Sequence, residues 1–330
     1  VLVGIALTLP ISSAAICSVL GLTGLAGGAA AFAGLGLAGC GGTQTSAGSA
    51  AGSDAAALSG TINCGGATSF QPLVEAVAEE FYIDNPDVSI AISGGGSGDG
   101  ISGIVDGSLQ IGRSDVFAEE KVDDESQLEN LVDNQVCIVG MGPIVNANVD
   151  IDDITTEQLA GIFTGEITDW SEVGGTAGTI NVINREAGSG TRATFEAAVL
   201  QGKEVPADFT PVAEVDSSGT VVEQVAATEG SISYVAFNYY DTNDGIKALS
   251  VDGVEPTQEN VESGDFNIWA YEHMYTRSDE DESTAAITKA FIDFIMSEDI
   301  QSTTVIDQGF IPVSNMKVKK DVDGNVTPVE

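Results

Sequence analysis

From residue 59 onward the apolar positions switch repeatedly between two spacings. In "GTINCGGATSF" a short alternating run closes on a Gly-rich turn, and in "QPLVEAVAEEFYI" Leu73, Val74, Val77 and Phe81 share one helical face with the preceding Phe70. The unit of strand, turn and helix then repeats: an alternating strand from Val88 to Ile92, the turn "SGGGSGDG", and Ile101, Ile104 and Val105 at helical spacing. A third short strand, "LQIGRSDVF", ends in polar Ser114 and Asp115. "VCIVGMGPIV", residues 136 to 145, reads as a buried strand that carries the chain into a second domain. There "TTEQLAGIFTGEITDWSEV" predicts an amphipathic helix and turn, "TINVINR" a strand and "SGTRATFEAAVL" a helix, with further strand, helix and strand signals to about Asn238. "FNIWAYEHMYT", residues 266 to 276, is strand-like again and "STAAITKAFIDFIMS" is a strongly amphipathic helix; these last elements are expected to return to the first domain. Strands alternating with helices predict an α/β fold with a mostly parallel sheet, whose ligands sit beyond the carboxyl ends of the strands. With 330 residues, two domains are the working count.

The first 42 residues follow neither period. They are dominated by Ala, Gly, Leu, Ile and Val and contain "LAGC", Leu37 to Cys40, which looks like a lipobox with Cys40 as the lipidated residue. No positive charge precedes it, as a secretory segment would require. An uncleaved membrane span or a buried helix are the alternatives, and Pro10 with the many glycines makes a regular span less attractive. The following "GGTQTSAGSAAGS" has the composition of a flexible tether. Of four cysteines, Cys17 lies in the export segment and Cys40 is the lipid site, while Cys64 and Cys137 fall in apolar strand-like runs and are expected to be buried free thiols. No pair has metal-ligand spacing, and His273 is the sole histidine, so no metal or cofactor is expected.

Charge changes the picture of the surface. Fifty acidic residues against 11 basic ones give −39, none of it within the first 53 residues. Periodic apolar segments and 43% apolar content argue that the chain folds despite this charge. Molar salt shortens the screening length to about 3 Å and makes such a surface tolerable, so a salt-loving source is the economical explanation. The acidic run from Glu119 to Glu129 is most simply a solvated surface. Nucleic acid is excluded as a partner, because phosphate backbones are held by basic patches and the only basic cluster is the short "KVKK" at 317 to 320.

Three turns nevertheless have the makings of an anion site: Ser69 with Phe70, Ser97, and Ser189 to Thr191, each just before a helix. A helix start exposes unpaired N–H groups and partial positive charge, hydroxyls add donors, and glycine lets backbone approach a ligand. Arg185, at the end of a strand, adds a planar fork suited to oxyanions. Taken singly, each Ser or Thr is more simply an N-cap, and Asp115 a turn residue. Other Gly-rich readings fail: Ile101 stands where a P-loop needs lysine, and Ala187 breaks the first position of a nucleophile elbow. A phosphoesterase using Ser189 is the enzymatic alternative, and no base or metal for it is visible.

"GATSFQPLVEAVAEEF", "ISGGGSGDGI", "IGRSDVFAEEK", "NREAGSGTRATFE" and "WAYEHMYT" resemble, in order and spacing, the phosphate-binding proteins of ABC phosphate importers, the PstS family. The resemblance spans residues 61 to about 315. It implies a type II periplasmic-binding-protein fold, two α/β lobes with a hinge and a ligand cleft between them: lobe I at 59–140 with 267–330, lobe II at 141–266, after an export signal at 1–40 and a tether at 41–58. Carried over by position, it implies that Ser69 and the Phe70 amide, Ser97, Asp115, Arg185, Ser189, Gly190 and Thr191 bind phosphate. Asp115 would accept the ligand's proton and Arg185 would hold both Asp115 and the ligand. The implied protein is no enzyme and has no cofactor. Its partners are inorganic phosphate, permease subunits and, through Cys40, the outer face of the membrane; another oxyanion (sulfate, molybdate, tungstate) is the alternative ligand. Ser69 stands where relatives have other small residues, so Thr68 is a substitute for its hydroxyl role, and Arg192 is either a ligand or a surface residue.

Overall fold

The structure, a computed structural model, describes residues 57–329. The lipobox with Cys40, Cys17, the export segment and nearly all of the tether lie outside the described residues. The chain runs through β1 (Gly60–Gly66), α1 (Gln71–Asp84), β2 (Val88–Ser93), α2 (Ser97–Asp106), β3 (Ile111–Ser114), β4 (Leu131–Asn146), β5 (Asp153–Ile154) and α3 (Thr156–Phe163). It continues through β6 (Asn181–Arg185), α4 (Gly190–Leu200), β7 (Ala213–Val215), α5 (Ser218–Ala227), β8 (Ser231–Ala236), β9 (Ile246–Ala248), β10 (Ser250–Val251), α6 (Gln258–Ser263) and β11 (Trp269–Arg277). The last elements are α7 (Glu282–Ile295), α8 (Glu298–Ser302), α9 (Thr304–Asp307) and the hairpin β12 (Val318–Lys320) and β13 (Val326–Pro328).

The main strands follow the order β2-β1-β3-β11-β4-β8-β6-β7, with β9 also on β4. β1 pairs in parallel with β2 and β3, and β6 in parallel with β7 and β8. The long strand β4 joins these two parallel groups: Leu131 to Gly140 run antiparallel to β11, and Met141 to Asn146 turn to β8 and β9. At the changeover only glycine fits, because a Cβ on Gly140 would lie 2.3 Å from the Phe237 ring. β4 begins five residues before the apolar run at Val136, because its polar first part gains a ladder with β11 that one-strand periodicity does not show.

Each parallel group is covered on both faces. The helical face anticipated in α1 is buried: Phe70, Leu73, Val74, Val77 and Phe81 are at most 2% exposed. Phe81 meets Phe291 of α7 edge-on at 5.3 Å. Neighbours on one strand point to opposite faces, and Met274 joins the cluster of α1 and α7 while Tyr275 joins that of Ile101 and Ile104 on α2. In the same way Tyr234 of β8 packs with Phe163 of α3 and Phe195 of α4, while Val235 packs with Val221 and Val225 of α5. Cys64 and Cys137 are buried free thiols, and burial pushes the Cys64 thiol up to about 11. His273 is buried in β11, its Nδ1 2.8 Å from Asp133 Oδ1. Among the described residues no helix is long and apolar enough to cross a membrane.

Candidate functional site

The parallel arrangement carries the carboxyl ends of β1, β2, β3 and β6 to one region, where four helices start. α1 begins after Phe70, with Pro72 in its first turn; α2 begins at Ser97, α4 at Gly190 and α5 at Ser218. The N-terminal positive ends of four helices of ten or more residues therefore converge.

Asp115 is the hub. It is 3% exposed, and its Oδ1 accepts the Ser69 hydroxyl at 2.6 Å while its Oδ2 accepts the Thr191 hydroxyl at 2.7 Å. Its own amide donates to Ser97 Oγ at 3.0 Å. Both carboxyl oxygens act as acceptors, as in a carboxylate. Gly190 is pressed against this hub: a Cβ there would lie 2.1 Å from Ser97 Oγ and 3.0 Å from the Asp115 Cβ. Gly98 N–H donates to the Gly188 carbonyl at 3.0 Å, a second tie between the α2 start and the "GSGT" turn. Ser189 is the N-cap of α4, its hydroxyl oxygen accepting the Arg192 amide at 3.2 Å. The capping reading thus holds for Ser189, whereas Ser69 and Thr191 spend their hydroxyls on Asp115.

Arg185 is 1% exposed at the end of β6. Its Nη2 donates to the Asp216 carbonyl at 2.9 Å and to Thr68 Oγ1 at 3.4 Å, its Nε to the Val215 carbonyl at 3.3 Å and its Nη1 to Ser218 Oγ at 3.3 Å. Burial pulls its pKa below the ordinary arginine value, with the neighbouring Asp115 charge acting the other way, and a guanidinium stays charged regardless. The expectation that Arg185 grips Asp115 is corrected here: no ion pair joins them, because the last residue of β7 and the one after it supply two carbonyls that take the fork first. Arg192 is not at the hub. It bonds Glu196 at 2.7 Å, Glu214 at 3.1 Å and the Arg185 carbonyl at 2.7 Å, bracing β6 from behind.

The structure brings Ser69, Phe70, Ser97, Asp115, Arg185, Ser189, Gly190 and Thr191 into one neighbourhood, and adds residues that the sequence reading missed. Thr68 does not replace Ser69; it works beside it, its hydroxyl oxygen accepting the Ser218 amide at 3.2 Å. Ser218 lies in "SSGT", an echo of the "GSGT" at 188 to 191 that a search for repeated turns would have found. Tyr239 donates to the Thr68 carbonyl at 2.8 Å and Asn238 to the Ser69 carbonyl at 3.3 Å, clamping the first turn from the segment after β8. Arg113 is fully buried, with Nη2 on the Ser93 carbonyl. Nothing local marks Arg113 or Tyr239, since their role depends on which strands meet.

The chemistry of this arrangement suits an anion carrying a proton: hydroxyls, helix amides and a guanidinium as donors, one carboxylate as acceptor. Among the described residues no cluster fit for a metal ion is present. A sequence profile described as a PBP superfamily domain matches residues 49–299. The phosphate-binding protein PstS of Bacillus subtilis (strain 168) is 46% identical over 266 residues, 81% of this chain and 85% of that protein. A phosphate ABC transporter substrate-binding protein of Clostridium perfringens, solved with bound phosphate, superposes with a TM-score of 0.68 at 33% identity, covering 77% of this chain and 100% of that one. An ABC-type phosphate transport receptor of Vibrio cholerae gives 0.60 at 27% identity, covering 76% and 99%. With its two-lobed strand order, its converging helix starts and these likenesses together, the chain belongs to the PBP superfamily and, within it, to the PstS family of phosphate-binding proteins.

Proposed function

We infer that this chain is a substrate-binding protein that captures inorganic phosphate and delivers it to an ABC-type phosphate permease. The observation that carries this reading is Asp115, a buried carboxylate with both oxygens accepting hydroxyl hydrogen bonds at the meeting of four helix starts. Each of those hydroxyls has one proton to give and can turn it to a ligand oxygen. Asp115 is then satisfied by a proton that the ligand itself carries. Phosphate retains one near neutral pH and sulfate does not, so sulfate would leave two anions facing each other and a buried acceptor unpaired, a cost of at least about 1 to 3 kcal/mol.

Ser69, the Phe70 amide, Ser97, Ser189, Gly190, Thr191 and Arg185 are the proposed ligand-holding groups around Asp115. Residues 59–140 with 267–330 form lobe I and 141–266 form lobe II, the two closing on the ligand as a population shift. Cys40 anchors the chain by lipid to the outer face of the membrane, with the permease as its membrane partner. Calorimetric titration with phosphate, sulfate, molybdate and tungstate tests the reading. Phosphate should bind most tightly, and Asp115→Asn should shrink the preference over sulfate by roughly tenfold or more. Unchanged discrimination in that variant would refute the role given to Asp115.

A further inference from the structure

Behind the hydroxyl cluster lies a side chain that the site described so far does not use. Glu272 of β11 is fully buried, and neither of its carboxyl oxygens has a hydrogen-bond partner among the described residues. It pairs across the ladder with Cys137 of β4, and the β4–β11 register shifts between Glu272 and His273. His273, which pairs with Ser114 on β3, sits next to Asp133, while Glu272 lies beside Asp115 and Ser69 without reaching hydrogen-bond geometry to either. The extra residue is Val136 of β4, which the register skips, so the irregularity bends β4 beside Glu272.

The groups that face Glu272 come from three elements: Arg113 within β3 and Asp115 just after it, Ser69 before α1, and Cys137 of β4. Arg113 is the one cation among them, and no ion pair joins it to Glu272; its Nε and Nη1 are themselves without a partner. Two buried carboxyls side by side do not both ionise readily. Asp115 already accepts with both oxygens. The proton therefore belongs on Glu272, and burial first, then the neighbouring Asp115 charge, pushes its carboxyl well above the usual carboxylate range.

We propose that Glu272 is a further specificity-determining residue of the anion site: a neutral carboxylic acid behind Asp115 and Ser69, so that the two carboxyls together bring one negative charge and one O–H donor. This rests on the phosphate reading and deepens it. When a tetrahedral anion draws the Ser69 and Thr191 protons to its own oxygens, Asp115 loses two donors. The Glu272 O–H replaces one and the ligand's proton the other. With Glu272 ionised instead, the cleft would set two buried negative charges against a third.

Infrared spectra of the full chain in D2O, with and without inorganic phosphate, are compared for wild type, Glu272→Gln and Glu272→Leu, together with calorimetric phosphate Kd values. The wild type should show a protonated-acid carbonyl band at neutral pH that Glu272→Gln lacks. The amide keeps a donor, so Glu272→Gln should weaken phosphate by less than about fivefold, and Glu272→Leu by roughly 10- to 100-fold. Three results overturn the proposal: no acid band, a Gln variant that binds phosphate about tenfold tighter, as expected if a charge had been removed, or a Leu variant equal to wild type. A wild type that binds no phosphate at all refutes the ligand itself, whatever the band shows.

Discussion

Gly190→Ala separates binding from folding. A Cβ at this position would meet Ser97 Oγ at 2.1 Å, Ser97 Cβ at 2.9 Å and Asp115 Cβ at 3.0 Å. The hydroxyl cannot simply swing away, because it accepts the Asp115 amide at 3.0 Å, and rotating it leaves that buried amide unpaired and the two Cβ contacts in place. Ordinary carbon contacts need about 3.5 Å, so α4 must retreat from the α2 start and from Asp115 by several tenths of an ångström at least. Overpacking on this scale costs about 1 to 3 kcal/mol. Gly190 lies on one proposed lobe and Ser97 with Asp115 on the other, so the clash exists only when the lobes close. Phosphate Kd measured by calorimetry should therefore rise roughly 5- to 150-fold. The melting temperature of the phosphate-free protein should stay at the wild-type value, and the stabilisation by added phosphate should shrink in step with the Kd. A Kd within about twofold of wild type, or a phosphate-free melting temperature that falls along with affinity, would refute the closing-contact argument.

Arg185→Lys should lose roughly 10- to 100-fold in phosphate affinity, measured by calorimetry, because a single ammonium cannot serve the Val215 and Asp216 carbonyls, Ser218 and Thr68 at once. Lys320 is half-buried against Trp269, its Nζ donating to the Trp269 carbonyl at 2.6 Å, and its desolvation there pulls its pKa from 10.5 to about 8. Between those values the unfolded chain holds the extra proton, so stability rises with pH; the melting temperature of wild type relative to Lys320→Met should climb from about pH 8 to about pH 10.5 and be flat below that window. Raising KCl from about 0.1 M to about 1 M shortens the screening length from about 10 to about 3 Å and should raise the melting temperature of this chain of charge −39, followed by circular dichroism.

Much of the secondary structure is written in local spacing. The five apolar residues of the α1 face, the alternation of β2 and the amphipathic α7 are legible because burial on one side imposes a period on the sequence itself. The turns of the site are legible for the same local reason, since a helix start needs capping residues and a close approach needs glycine. Pairings distant along the chain leave no such local mark. The polar first part of β4 is a strand because β11 lies beside it, and the carbonyls that take up Arg185 arrive from thirty and thirty-one residues further on.

By itself the sequence determined the alternation of strands and helices, the donor-rich turns, Asp115 at a strand end and a surface whose acid excess is spread over the folded part. Only the tertiary structure decided how those pieces are spent: the Ser69 and Thr191 hydroxyls on Asp115, the Ser189 hydroxyl on capping α4, Arg185 on backbone carbonyls, and Glu272 unpartnered behind them. The physical reason is that periodicity and capping are set within a few residues, whereas a buried polar atom's partner, and the protonation state that goes with it, are set by whichever strands and helix ends the fold brings within three ångströms or so.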